Sequence, residues 1–232
     1  MNEAFAIGPR HEEERWTWRA RRGDVRVLFT GRGPADERAA ILARHAPSAP
    51  PLAWARQVHS ARVLTATAGD CGEGDALLGR GSDLALSVVT ADCVPVVLAG
   101  PEGLAAVHAG WRGIAAGIVA ATLAAATERP SDWCAWVGPA IGACCYEVGD
   151  DVAESVVAAS GESVRVAGAN GRPHLDLPGA ARLQLAAAGV REIYVLPRCT
   201  RCDEERLWSY RRLGKGAGRN LAFIWREPGA AS

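Results

Sequence analysis

Apolar residues fall into short runs separated by glycine, proline and polar breaks, and their spacing predicts most of the elements. Runs over 16–19 and 25–30 flank Arg22-Gly23-Asp24 and predict a hairpin, because Gly and Asp suit the backbone angles of a tight turn. Pro34 opens a helix-spaced pattern that lasts to about His45, and the proline-bearing stretch 46–51 predicts a loop. Strand-like runs follow at 52–58, 62–67, 84–89, 94–98 and 104–107. The alanine-rich segment 114–128, with Pro130 beyond its end, predicts one helix, and 133–137 predicts a strand. Gly149-Asp150 opens a helix that Gly161 ends, and 165–172 predicts an exposed turn. Asp176 caps a helix with Pro178 in its first turn and Gly189 at its end. Strands at 192–196 and 220–225 complete the pattern. Strands and helices mix without regular alternation, so the expected class is α+β, in one domain over 1–232 with the first fifteen residues flexible.

Composition narrows the function. The chain has 232 residues, 49% hydrophobic and 22% charged, which is enough to bury a core without disulfides. Its 26 basic and 26 acidic residues cancel, so no global charge favours nucleic acid or an anionic membrane. Arg201, Arg206, Arg211, Arg212, Lys215 and Arg219 form a local basic group that reads as a solvated face with scattered anion contacts. The N-terminal stretch is polar, without the apolar segment of a signal peptide, and the longest apolar run, 114–126, is too short to span a membrane. A cytoplasmic protein with no membrane partner is expected. Its seven cysteines are then expected as free or metal-bound thiols.

Three segments share one form: an apolar strand, a ligand-type residue, then a break. They place His59, Cys93 and His108 at neighbouring strand ends. Two imidazoles and a thiolate are zinc ligands, and three of them leave a fourth position for water, whose pKa zinc lowers, or for substrate. Asp92 is expected to orient a ligand from behind, and Asp92 and Asp75 are the candidate acid/base groups. Taken singly, each of the three ligand-type residues is more often packed than ligating, and their spacing matches no short zinc motif. After His108, Gly110-Trp111-Arg112-Gly113 leads towards a helix, where free amides and Arg112 suit phosphate or a carboxylate. A plain tight turn with Trp111 in the core explains the same residues equally well.

Several motifs occur in order from about Val25 to Trp225: Gln57-Val58-His59, Thr90-Ala91-Asp92-Cys93-Val94-Pro95, His108-Ala-Gly-Trp-Arg-Gly113, Val137-Gly-Pro-Ala-Ile-Gly142, Cys145-Tyr-Glu-Val148, Cys199-Thr200, and Ser209-Tyr-Arg-Arg212 with Gly218-Arg219. Together they resemble the multicopper polyphenol oxidase (laccase-domain) family, also called the purine nucleoside phosphorylase family related to human FAMIN, whose bacterial members include the peptidoglycan editing factor. The resemblance implies zinc on His59, Cys93 and His108, with copper as the lesser candidate. It implies phosphorolysis of adenosine, inosine, guanosine and methylthioadenosine, and deamination of adenosine, so that the partners are a small nucleoside and phosphate. It also implies helices layered around two sheets, as in the catalytic domain of cytotoxic necrotizing factor. With it, Cys93, His59, His108, Asp92 and Arg112 are the catalytic candidates, and Gln57, Asp75, Arg112, Gly113 and Tyr146 the substrate-binding ones. One departure is the stretch Phe29-Thr-Gly-Arg-Gly-Pro-Ala-Asp36, shorter than the corresponding loop in similar proteins, which is expected to line the pocket.

Other readings remain beside this one. Cys93 as a nucleophile with His108 or His59 as base fits a hydrolase that edits peptidoglycan precursors. A multicopper oxidase needs many histidines, and this chain has five with no His-X-His pair. A non-enzymatic binder, and a monomer or weak homodimer, complete the expectations. Cys199-Thr-Arg-Cys202 has CxxC spacing but no second such pair, so it is expected to be structural or incidental, and packing is the expected role for at least one of the vicinal pair Cys144-Cys145. His11, His45 and His174 are expected on the surface.

Overall fold

A computed structural model describes residues 6–7, 17–33 and 37–227. Most of the N-terminal stretch, His11, Trp16 and the helix opening at Pro34 lie outside these residues. Period-two alternation sets the architecture, because successive side chains of a strand face opposite sides. In strand β3 (Val25–Gly33) Val27 and Phe29 face one way and Leu28 the other. In β15 (Arg219–Arg226) Ala222 and Ile224 take the first side, and Leu221, Phe223 and Trp225 the second. β9 (Val94–Ala99) and β10 (Gly103–Ala109) split in the same manner. Both faces of these strands are apolar, so they are covered on both sides.

The chain satisfies this with four layers around two sheets. The first sheet runs β1 (Ala6–Ile7), β2 (Thr17–Arg22), β3, β15, β8 (Ala85–Thr90), β4 (Leu52–Arg56), β6 (Gly69–Glu73). The second runs β14 (Glu192–Val195), β11 (Cys134–Val137), β9, β10, β7 (Ala76–Arg80), β5 (Val63–Thr65). Both are mixed: β4 is parallel to β6 and β8, β11 to β14, and β5 to β7. Trp18, Phe29, Leu86, Val97 and Trp136 fill the space between the sheets. Helix α1 (Arg38–His45) covers the outer face of the first sheet with Ile41 and Leu42. Helices α2 (Trp111–Ala115), α3 (Ile118–Ala125), α4 (Asp150–Ser160) and α5 (Leu177–Ala187) cover the second. Full burial of a side chain such as Leu98 or Ile118 contributes roughly 1.5–3 kcal/mol, and each layer supplies several. The result is one α+β domain, as the mixed element order predicts. Among the described residues no helix is long and apolar enough to cross a membrane.

Four local expectations need correction. The segment 114–128 is not one helix: α2 and α3 meet at Gly117, whose φ of 76° lies in the left-handed region that glycine adopts without steric cost. Glu128, expected in that helix, instead accepts the amides of Glu102 and Gly103 at the β9–β10 turn. Strands β6 and β7 carry no clear sequence signal, since β6 is Gly69-Asp-Cys-Gly-Glu and forms only by pairing with β4. The expected turn at 165–172 begins as β12 (Arg165–Ala167), which forms a two-stranded ribbon with β13 (Pro173–Leu175). His45 and His174 are half-buried rather than surface groups: His45 meets the Arg19 guanidinium, and His174 Nδ1 faces the Ala143 carbonyl.

Candidate metal and active site

The path of the chain between the two sheets builds the site. β4 to β5, β6 to β7 and β8 to β9 all pass from the first sheet to the second, and these crossings carry His59, Asp75 and Cys93. His108 is the penultimate residue of β10, one strand over from β9. His59 stands three residues beyond the end of β4, not on it, with φ 59°. The Cys93 Sγ lies 3.9 Å from His59 Nε2, and the two imidazoles meet edge to face at 4.8 Å between centroids. One donor atom from each of His59, Cys93 and His108 lies within 4.8 Å of the others. Gly110 makes this approach possible: a Cβ there would sit 3.0 Å from Cys93 Sγ and 3.2 Å from His59 Cδ2.

Asp75 organises the group from behind. It is fully buried and takes five hydrogen bonds on its carboxylate. His108 Nδ1–H donates at 2.8 Å, which turns Nε2 towards the thiol. The amides of Val58, His59 and Ser60 and the Ser60 hydroxyl donate as well, His59 N at 2.9 Å and Ser60 N at 2.6 Å. One carboxylate therefore holds the ring of one ligand and the left-handed backbone of another. Burial alone would raise its pKa, but the bonds from His108 and Ser60 outweigh burial and hold it well below the ordinary carboxylate range. Burial likewise opposes charge on Cys93 and His108, and again the partners win. The two histidines draw the Cys93 thiol down to about 6, while Asp75 and Cys93 lift His108 to about 9. The direction is a thiolate beside an imidazolium, the state from which a thiolate ligand is supplied. Two imidazole nitrogens and a thiolate, with a carboxylate fixing one ring from behind, fit a divalent ion such as zinc.

The trio opens onto a cavity of about 790 Å³, within the range of small-molecule sites. Trp54, Trp111, Tyr146 and Tyr210 give it flat apolar walls, and Arg38, Arg56, Arg112, Arg211 and Arg219 give it positive charge. The Arg112 guanidinium stacks over the Trp111 ring, 4.3 Å from its centroid, and has no carboxylate partner among the described residues. Burial, and then the nearby Cys93 charge, push the Tyr146 phenol up to about 12, so it remains a hydroxyl donor.

Other expected site residues stand elsewhere in this arrangement. Asp75 does not reach the cavity, so it positions groups rather than touching a substrate. The carboxylate behind the ligands is Asp75, not Asp92. Asp92 lines the cavity but accepts Thr200 Oγ1–H and the Arg211 amide, each at 2.6 Å. Gln57 also lines the cavity, while its amide is tied both ways to the Val89 backbone. Gly113 is buried against the Ser60 carbonyl, away from the cavity. The residues 110–113 do not precede a helix at 114; α2 already begins at Trp111 and is only five residues long. Arg211 and Arg219, expected on a solvated face, and Tyr210 line the cavity; the Ser209-Tyr-Arg-Arg212 motif was the available signal. CxxC at Cys199 and Cys202 does acquire a second pair, because the fold brings Cys144 and Cys145 to it.

Known proteins are similar to this chain in sequence and in fold. Purine nucleoside phosphorylase YfiH of Shigella flexneri is 38% identical over 190 residues, covering 80% of this chain and 77% of that protein. A purine nucleoside phosphorylase of Deinococcus radiodurans is 40% identical over 195 residues, covering 82% and 76%. The crystal structure of Neisseria meningitidis protein NMB0706 superposes with a TM-score of 0.80 at 28% identity, covering 97% of this chain and 100% of that one. The model of the family described as multi-copper polyphenol oxidoreductase laccase matches residues 35–227, which include all three donors of the candidate metal centre, and the chain belongs to that family.

Proposed function

We propose that this chain is a zinc-dependent purine nucleoside phosphorylase acting on adenosine, inosine, guanosine and methylthioadenosine, with a second activity as an adenosine deaminase. The observation that carries this reading is the opening of the His59–Cys93–His108 trio onto one cavity with aromatic walls and an arginine that has no carboxylate partner among the described residues. A planar base stacks on rings such as Trp111 and Tyr146, and Arg112 offers two parallel donors to phosphate. Zinc bound at the trio supplies Lewis acidity beside the substrate. The protein's own part is to hold the nucleoside and phosphate in line and to offer the Tyr146 hydroxyl as a donor. The names of the relatives support phosphorolysis. The reading also places the protein in the cytoplasm, as a monomer or weak homodimer on soluble substrates.

The test is metal analysis of protein purified without a metal-affinity tag, followed by adenosine with and without phosphate. Adenine and ribose 1-phosphate formed only with phosphate support phosphorolysis, and inosine supports deamination. Zinc-loaded protein that turns over no purine nucleoside overturns the reading. A second reading rests on the Cys93–His108–Asp75 line, a thiolate, an imidazole and its carboxylate, which is the order of a cysteine hydrolase. In that reading the protein trims misincorporated peptidoglycan precursors. Precursor hydrolysis by zinc-free protein, stopped by labelling Cys93, would select it.

A further inference from the structure

Four of the seven cysteines gather away from the first centre. Cys144 and Cys145 lie on the loop after β11, and Cys199 and Cys202 on the loop after β14. The two loops meet at a parallel bridge between Ala140 and Cys199. Their sulfurs are 3.6 Å apart for Cys144 and Cys145, 3.6 Å for Cys144 and Cys202, and 3.3 Å for Cys145 and Cys202, and all four lie within 4.8 Å of one another. A tetrahedron of sulfurs around zinc, with Zn–S of about 2.3 Å, has edges of about 3.8 Å. All four thiols are free.

We propose that Cys144, Cys145, Cys199 and Cys202 form a second, structural zinc site of the four-thiolate type. The surrounding backbone is shaped for it. The Gly142 amide donates to Cys199 Sγ at 3.3 Å. Amides turned onto a sulfur favour a thiolate, the form that binds metal. The carbonyls of Thr200 and Arg201 correspondingly point away, onto the Arg212 guanidinium at 3.0 and 2.8 Å. On binding, the four thiols release their protons to solvent, and the negative complex that results sits beside Arg201 and Arg212.

The site fastens one wall of the cavity. Tyr146 follows Cys145 directly, and Thr200, between the two cysteines of the CxxC, donates to Asp92 next to Cys93. Two loops that share only short backbone pairing are thereby tied at one point. A closed four-sulfur shell leaves no position for substrate, so the role is structural.

The deciding experiment uses the full chain, untagged and reduced, with zinc as the probe. Elemental analysis is expected to give about two zinc ions per chain, and about one in Cys93→Ala and in the pair Cys199→Ser/Cys202→Ser. Cobalt added to metal-free Cys93→Ala is expected to give the intense charge-transfer bands of four-thiolate coordination. Adding Cys199→Ser/Cys202→Ser should erase them. Should the serine variants fail to fold, the zinc content and cobalt spectrum of Cys93→Ala decide alone. A Cys93→Ala protein that folds without zinc, holds iron instead, or keeps these four cysteines paired as disulfides overturns the proposal. None of these readouts depends on nucleoside turnover.

Discussion

At the His59–Cys93–His108 centre, three donors arrive on two crossings and a strand, with the buried Asp75 carboxylate behind them. At the Cys144–Cys145–Cys199–Cys202 cluster, four thiols arrive on two loops, with two of them exposed and the Gly142 amide facing one sulfur. The first group has one side open to a cavity; the second closes on itself. The donor count and the direction in which the shell is open separate a site suited to chemistry from one suited to holding loops together. The supporting groups differ for the same reason. A ring must be aimed, which takes a carboxylate on its far nitrogen, whereas a thiolate is oriented well enough by amides.

The largest effect is expected at Cys93. Cys93→Ala should strip the metal from the open centre and lower phosphorolysis on the order of a thousandfold, since several kcal/mol of charge stabilisation goes with it. Full turnover in that variant would sink the metal mechanism. Asp75 comes next. Asp75→Ala leaves the buried His108 Nδ1–H and the Val58, His59 and Ser60 donors without their acceptor, and should cost about 3–5 kcal/mol in a denaturant titration. The milder Asp75→Asn should weaken zinc binding roughly 10–100-fold while the four-thiol cluster keeps its ion. Loss of both ions together would show that the two sites are not built independently. Gly110→Ala is expected to fold but to press its methyl group on Cys93 and His59. Zinc affinity at the open centre should fall by about tenfold, and unchanged affinity would mean the trio is looser than its distances indicate. Arg112 gives the smallest change. Arg112→Ala should raise the KM for phosphate by about tenfold, the low end for charged hydrogen bonds because the Arg112 side chain is exposed, with kcat little altered. A drop in kcat alone would move Arg112 from phosphate binding to the chemical step.

Much of this was legible one segment at a time. The alternation in β3, β9, β10 and β15, the Asp176 cap and the Gly161 stop are local signals, and the elements they predict are present. The cap is a side-chain bond to Gly179 N that needs nothing beyond three residues. The break at Gly117 is hidden from the sequence, because a glycine inside an apolar helical pattern gives no sign of its φ. The positioning role of Asp75 is hidden likewise, because an aspartate between apolar segments has the same local pattern whether it faces solvent or is buried under five donors.

The α+β class and the ligand trio His59, Cys93 and His108 are readable from the chain alone, since apolar period and ligand chemistry are properties of short stretches of residues. Folding sets which carboxylate aims the ligands, which arginines face the cavity, and that a CxxC meets a vicinal pair more than fifty residues away. Those facts follow from crossings between two sheets and from loops brought side by side by β11 and β14. Burial and proximity are properties of the packed chain, and no local pattern of residues encodes them.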